Sequence, residues 1–403
     1  MATLRPGTFA LTALLAALSA VGPLTTDMYL PSLPDIAQRL SASTTQVQFT
    51  ISSYLIGFAL GQIFYGPLSD RHGRKPVLLA ALGIYCVASL ACALATSIEM
   101  LIVARALQAI GGCGGIVLAR AVVRDLFSGN RASREMSLIS AVMALAPVFA
   151  PIFGGVVQTA FGWRGVFFTL VVAAIGGIAA VWLLLPETLK ERAAERISLG
   201  SIMASYRIVA RNPVYLAYLG MASTVYAGLF AWISGASFVL QGLYGLTPFH
   251  FGLVFALGSS GFLLGSYIAA RIVRKVGLDG VIGVGAGAVT LGGLGMLVSV
   301  AIGFTSSLSI VLPMSIYLAG LGMVLPQSIA GAMTPFPERA GAASSLFGFV
   351  QQSVAAVCGA GVGWLTGNNA WPMAGAIALM GITTLSIWMA THSLRRKAAS
   401  AHG

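Results

Sequence analysis

Long apolar runs return along this chain at nearly regular intervals, separated by short loops, and they constrain the fold more than any other feature. They lie near 9–31, 47–68, 76–96, 98–122, 135–157, 163–185, 214–240, 250–271, 280–303, 307–332, 340–363 and 371–392. A run of ~20 residues spans the hydrocarbon core of a bilayer as an α-helix. Within lipid every backbone N–H and C=O must be paired, so only helices or a closed barrel can cross. The runs lack the two-residue alternation of a barrel strand, which excludes the barrel. The expected fold is therefore all-α and integral to the membrane, with twelve transmembrane helices. Only 8% of the 403 residues are charged and 57% are hydrophobic, a balance foreign to a soluble domain of this length. The 49 glycines fit helices that pack through small residues in lipid.

A net charge of +12 ordinarily raises nucleic acid as a partner. Here the positive residues fall in alternate loops. Arg5, Arg71/Arg74/Lys75, Arg124/Arg131/Arg134, Lys190/Arg192/Arg196/Arg207/Arg211, Arg271/Arg274/Lys275, Arg339 and Arg395/Arg396/Lys397 share one side, and the other keeps little beyond Arg39 and Arg164. That asymmetry is the positive-inside pattern and puts both termini in the cytoplasm. Topology accounts for the charge, so no nucleic-acid partner is expected.

Cys86, Cys92, Cys113 and Cys358 all sit within apolar runs and read as small buried hydrophobes. Small residues around Ala17–Ala20 could mark a signal-peptide cleavage site, but the apolar run continues past them to Asp27. The enzyme classes fail on their residues. His72, His250, His392 and His402 are scattered at helix ends, no second membrane aspartate pairs with Asp27, and no phosphate-binding G-x-x-x-x-G-K-[ST] loop occurs. Neither a metal nor a cofactor is expected.

Gly66-Pro67-Leu68-Ser69-Asp70-Arg71-His72-Gly73-Arg74-Lys75-Pro76 joins the second and third runs. A loop this short makes the two helices antiparallel neighbours. Its complete G-x-L-x-D-R-x-G-R-K pattern resembles the loop between helices two and three of the major facilitator superfamily. Arg105-Ala106-Leu107-Gln108 in span four resembles the superfamily's R-x-x-Q-G element, with Ala109 in the glycine position. Ala146-Pro147 through Gly154-Gly155 in span five resembles its G-P-x-x-G-G antiporter element, with Ala150 where glycine is more usual. Thr25-Thr26-Asp27-Met28-Tyr29-Leu30-Pro31, Ser237-Phe238-Val239-Leu240-Gln241 and Phe336-Pro337-Glu338-Arg339-Ala340-Gly341 are similar to the bicyclomycin/chloramphenicol-resistance branch of drug:proton antiporters.

The halves also repeat. Gly57-Phe58-Ala59-Leu60-Gly61 matches Gly261-Phe262-Leu263-Leu264-Gly265, and each is followed by a basic loop. Two pseudo-symmetric six-helix bundles are expected, 1–190 and 214–403, joined by a cytoplasmic linker at 191–213 in which 199–210 has helical spacing. The loop from about Pro31 to Thr45 reads as polar and external, with Ser41 and Ser43 as candidate caps.

Only eleven acidic residues occur, and Asp27 alone lies well inside a span. An ionised Asp there costs ~2.5–3.5 kcal/mol on insertion scales, so apolar surroundings favour its neutral form. A carboxyl of this kind facing a cavity suits proton coupling, and the resemblance extends proton and substrate binding to Asp27. The structural alternative is a cap on the weakened end of span one. Arg105 is the second intramembrane charge; it cannot carry the proton but can bias a nearby carboxyl. Its alternative is snorkelling to the external surface.

Gly66, Asp70, Arg71, Gly73 and Arg74, with Arg120 and Arg124 from the end of span four, form the expected cytoplasmic gate, Asp70 pairing with Arg120 or Arg124. Pro147, Pro151, Gly154 and Gly155 would bend span five and pack it tightly, although generic helix packing explains them as well. Candidate cavity residues are Tyr29 on span one, Tyr54, Phe58 and Gln62 on span two, and Gln108 on span four. Tyr226, Trp232 and Gln241 on span seven, Gln327 on span ten, and Phe347 and Gln351 on span eleven complete the set. Aromatic walls with a few amides suit a moderately apolar drug, while interfacial belts use the same aromatic types.

The resemblance implies a monomeric transporter of the bacterial inner membrane that exports amphiphilic antibiotics in exchange for protons. Its partners would be a small-molecule drug, protons and the bilayer. The competing reading is an exporter or importer of a small metabolite, such as an amino-acid derivative or sugar.

Overall fold

The computed structural model describes residues 8–189, 199–303, 306–365 and 369–400. Arg5, Lys190, Arg192 and Arg196 lie outside them, as does much of the expected linker. The described residues form α1 (Phe9–Asp27), α2 (Leu33–Arg39), α3 (Thr44–His72), α4 (Arg74–Ala93), α5 (Ile98–Leu126), α6 (Gly129–Leu184) and α7 (Leu199–Val209). They continue as α8 (Pro213–Ser237), α9 (Pro248–Ile302), α10 (Leu308–Met333), α11 (Ala340–Leu365), α12 (Trp371–Ala390) and α13 (His392–Ser400), with no strand among them.

Ten helical stretches are long and apolar enough to cross a membrane. Two of these, in α6 and α9, run past 50 residues because each joins two spans across a single non-helical glycine. Gly162 (φ 72°) breaks α6 and Gly277 (φ 71°) breaks α9, in a backbone region that side-chain-bearing residues rarely adopt. Divided there, the apolar helical segments number twelve, as the hydropathy pattern requires.

Local chemistry sets several of the ends. Ser43 and Gln46 form a reciprocal capping box at the start of α3. Ser97 accepts the Met100 N–H at the start of α5, and Asn212 caps α8 ahead of Pro213. The polar stretch after span one is not an open loop: a 3₁₀ turn at Leu30–Ser32 leads directly into α2. Proline early in each of these elements fixes φ where no helical N–H is needed. Ser43 is the cap, whereas Ser41 takes a left-handed turn (φ 49°).

The described residues fall into two compact units. The first holds α1–α6 with the short segment Pro248–Gly252. In it α5 packs against α3, α4 and α1, while α6 packs along α1 and α4. Its buried apolar cluster includes Leu15, Leu18, Tyr54, Leu78, Ala109, Cys113, Leu118 and Val122. The second unit holds α7, α8, the rest of α9 and α10–α13, with α8 packed on α10, α11 and α12.

Candidate functional site

Arg105 stands two turns into α5 and is fully buried (0% exposed). It does not reach for the surface. Its Nη1 donates to Gln108 Oε1 at 2.6 Å, and Gln108 Nε2 donates to Ser89 Oγ at 2.8 Å. The guanidinium lies over the rings of Tyr54 (4.3 Å) and Tyr29 (4.6 Å). Those rings are fixed in turn, Tyr29 Oη by Thr50 at 2.7 Å and Tyr54 Oη by the Gly22 carbonyl at 3.3 Å. Nε and Nη2 of Arg105 have no hydrogen-bond partner among the described residues. A permanent cation is thus held by aromatic faces and one amide, without a carboxylate.

Asp27 is the last residue of α1 and only 5% exposed. Its carboxyl forms no hydrogen bond or ion pair among the described residues: the four ion pairs present are Arg39–Asp35, Arg74–Asp70, Arg74–Asp125 and Arg395–Asp279. It therefore caps nothing and does not pair with Arg105. Such a carboxyl can take or release a proton without first breaking a salt bridge. Nearby, Thr25 and Tyr85 share a 2.6 Å hydrogen bond that ties α1 to α4.

The antiporter-type element lies against this end of α1. A Cβ on Gly154 would run into the Met28 carbonyl oxygen, so only glycine lets α6 approach the residue after Asp27. At Gly155 a Cβ would meet the Pro248 carbonyl at 2.5 Å, within the same unit. The helix runs through Pro147 and Pro151 and breaks only at Gly162. At the other end of α1, the Thr12 hydroxyl donates to the buried Glu135 carboxylate of α6 at 2.5 Å.

The basic loop carries a different network from the expected one. Asp70 pairs with Arg74, four residues on, at 2.5 Å, rather than with Arg120 or Arg124, which are exposed. Gly73 (φ 101°) turns the chain so that Arg74 folds back, 7% exposed, between Ser69, Asp70 and Asp125. Arg74 Nε meets Asp125 Oδ2 of α5 at 2.8 Å. The link from loop to span four exists, but the loop supplies the cation and α5 the anion. Thr188 Oγ1 donates to the same Asp125 carboxylate at 3.2 Å. Glu187 accepts the backbone N–H groups of Arg74 (2.9 Å) and Lys75 (3.2 Å), capping α4 from the end of span six. Gly66 has open space around it and Arg71 is exposed.

The cavity candidates divide between the two units. Tyr29, Tyr54 and Gln108 surround Arg105 in the first unit. Phe58 stacks on Tyr54 at 6.2 Å, with Gln62 one turn further along α3 and partly exposed. In the second unit Trp232 stacks on Phe255 at 5.8 Å with its Nε1 unpartnered. Tyr226 packs on Phe230 at 5.0 Å, and Gln241 donates to Ser237 at 2.7 Å. Phe347 packs edge-on against Tyr215 at 6.3 Å; Gln351 leaves its Nε2 unpartnered, and Gln327 is half-buried. Sequence reading missed Asp125, Glu187, Glu135, Tyr85 and Ser89. Asp125 could have been found as the lone acid beside Arg124 at a helix end; Ser89 and Tyr85 carry no signal apart from the fold.

Comparison with known proteins agrees with this architecture. The Major Facilitator Superfamily profile matches residues 15–360. A "Bicyclomycin resistance protein homolog" of Haemophilus influenzae is 31% identical, with 92% of each chain covered. A "Chloramphenicol resistance protein" of Pseudomonas aeruginosa is 30% identical over 89% of this chain and 85% of that one. Among solved structures, a POT family transporter in complex with 5-aminolevulinic acid shares the fold with a TM-score of 0.78 at 13% identity, 98% of both chains being covered. This multi-pass membrane protein belongs to the Major Facilitator Superfamily of transporters, in its bicyclomycin/chloramphenicol-resistance branch.

Proposed function

We propose that the protein exports amphiphilic antibiotics, of the chloramphenicol/florfenicol or bicyclomycin type, in exchange for protons. The observation that carries this reading is the Asp27 carboxyl, buried and unpaired at the end of α1. Such a group changes charge at the cost of one proton alone, which is what coupling to a proton gradient needs. Arg105 supports it as a fixed positive charge in the same unit that never exchanges its own proton. The names of the relatives support the drug class.

Transport is by alternating access, residues 1–190 rocking against 214–403 about a midplane site, with the basic loop as the cytoplasmic gate. The aromatic and amide residues of the two units line the drug's path. A proton moving inward contributes ~2.3 kcal/mol per 100 mV of membrane potential, plus the pH term, to export of a neutral drug. The protein works as a monomer in the bacterial inner membrane with both termini cytoplasmic, as the loop charges favour.

Purified protein in liposomes with an acidic interior tests the reading. Labelled chloramphenicol, florfenicol or bicyclomycin is expected to accumulate with wild type. Asp27→Asn is expected to lose gradient-driven uptake while keeping drug counterflow. Undiminished coupling in Asp27→Asn would make that carboxyl structural, and uptake of none of the three drugs would favour a metabolite substrate.

A further inference from the structure

The turn that divides α9 and the start of α13 are locked together. Two residues beyond the break at Gly277, Asp279 Oδ1 receives Arg395 Nε at 2.5 Å. Arg395 is 2% exposed, and its Nη2 donates to the Trp388 carbonyl at 2.8 Å. Its Nη1 donates to the Thr391 hydroxyl. The Trp388 indole N–H closes the ring on the Asp279 carbonyl at 3.1 Å. Every arm of this clamp comes from the turn, the end of α12 or the start of α13, so α13 cannot swing away from the α9 turn while it holds.

The clamp has an electrostatic consequence. Arg274 and Lys275 precede Asp279 on the turn and are exposed, and exposed Arg396 directly follows Arg395. Cations from two distant parts of the chain are thereby brought to one end of the bundle. Asp279, the carboxylate among them, is consumed by Arg395; the other acid among the second unit's described residues is Glu338, beside Arg339. Depth is set by Trp388, two residues before the end of α12, while Tyr267 stands further back within α9. Tyr267 accepts Arg271 Nη2 at 2.7 Å, and Trp388 anchors the clamp. Aromatic residues of this kind sit at the headgroup level. The α9 turn joins two membrane spans, so its cations lie at the same level.

We propose that Arg274, Lys275 and Arg396, gathered by the Arg395–Asp279 clamp, bind the phosphate of an anionic membrane phospholipid. Guanidinium and ammonium groups at headgroup depth match a phosphodiester in charge and hydrogen bonding. Each surface cation contributes about fivefold to anionic-lipid affinity. Loss of all three therefore predicts a loss on the order of 100-fold.

The test is retention of phosphatidylglycerol against phosphatidylcholine by the full-length protein in detergent, read by native mass spectrometry. Wild type is expected to keep phosphatidylglycerol selectively, and 10 mM inorganic phosphate is expected not to displace it (roughly, a free phosphate lacks the hydrocarbon anchor). Arg274→Gln/Lys275→Gln/Arg396→Gln is expected to lose the selectivity, while Arg207→Gln/Arg211→Gln, also two surface cations of the second unit, keeps it. Arg395→Gln is expected to weaken selectivity in part, by releasing α13 with the three cations still present. Undiminished selectivity in the triple variant, equal loss in the Arg207/Arg211 control, or displacement by free phosphate would each overturn the proposal.

Discussion

The two helical units each bury one paired arginine near an end, Arg74 in the first and Arg395 in the second, but differ in whether they also bury charge without a counter-ion. In the first, Arg105 and Asp27 lie inside the bundle with no counter-ion, one against tyrosine rings and the other without a polar partner. In the second, the one buried charged residue among those described is Arg395, at the very end of the bundle and closed on Asp279. The other buried polar side chains described in the second unit are neutral: five serines, Thr384 and Gln352. Unpaired charge in a membrane interior is costly and persists where it does work. A paired charge at an interface is an ordinary fastening. Among the described residues, buried charge without a counter-ion is thus confined to the first unit.

Replacing Arg105 or Arg395 by methionine should move stability in opposite directions. Arg105→Met removes a desolvated, unpaired cation and leaves a side chain of similar length among aromatic rings. It is expected to leave thermal stability unchanged or raise it, by up to about 1–3 kcal/mol, while gradient-driven transport falls on the order of 100-fold. Arg395→Met should move the other way, costing about 1–2 kcal/mol because Asp279 loses its partner, the figure being reduced for the part of Asp279 that water reaches. Unfolding followed by tryptophan fluorescence, beside transport in liposomes, reads both. Equal signs for the two stability changes would erase the distinction between the units.

Glycine substitutions sharpen the contrast at smaller amplitude. Gly154→Ala is expected to cost about 1–3 kcal/mol and to slow transport, since its Cβ meets the Met28 carbonyl beside Asp27. Gly375→Ala in α12, where a Cβ meets nothing within 4 Å, is expected to be neutral or to stabilise by about 0.5–1 kcal/mol. The smallest effect belongs to the loop cap. Glu187→Ala should lower stability by about 1 kcal/mol by leaving the Arg74 and Lys75 N–H groups to water, and Glu187→Gln should recover most of it. Protease cleavage within the basic loop is the local readout. Unchanged cleavage in Glu187→Ala would mean that the Arg74–Asp125 pair alone holds the loop.

Much of the fold was legible in the sequence because each span announces itself by composition, and spans need no long-range information to be counted. The twelve runs map onto the observed helices, including the joins at Gly162 and Gly277. Residue pairing was less legible. Asp70 looked outward to Arg120 or Arg124, yet Arg74 lies nearer along the chain and the turn at Gly73 folds it back. Charge signs along a chain do not say which of several arginines a turn will deliver. Arg105 could be read as intramembrane, but its aromatic enclosure draws on Tyr54 of α3, Phe167 of α6 and Tyr29 just beyond α1, a convergence visible only in three dimensions. The α2 helix was hidden by polar residues and prolines that also suit a loop.

Helix α1 is fastened to α6 at both of its ends. Thr12 is fastened to Glu135 near one end of α1, and the carbonyl of Met28 is wedged against Gly154 just beyond the other. Thr12 and Asp27 stand about 22 Å apart along the helix at 1.5 Å per residue. Held at both ends, α1 has little freedom to slide or rotate on its own and must travel with α6 as a stiff beam. Displacing Asp27 along the axis of α1 would therefore have to carry the Thr12–Glu135 contact with it or break that contact.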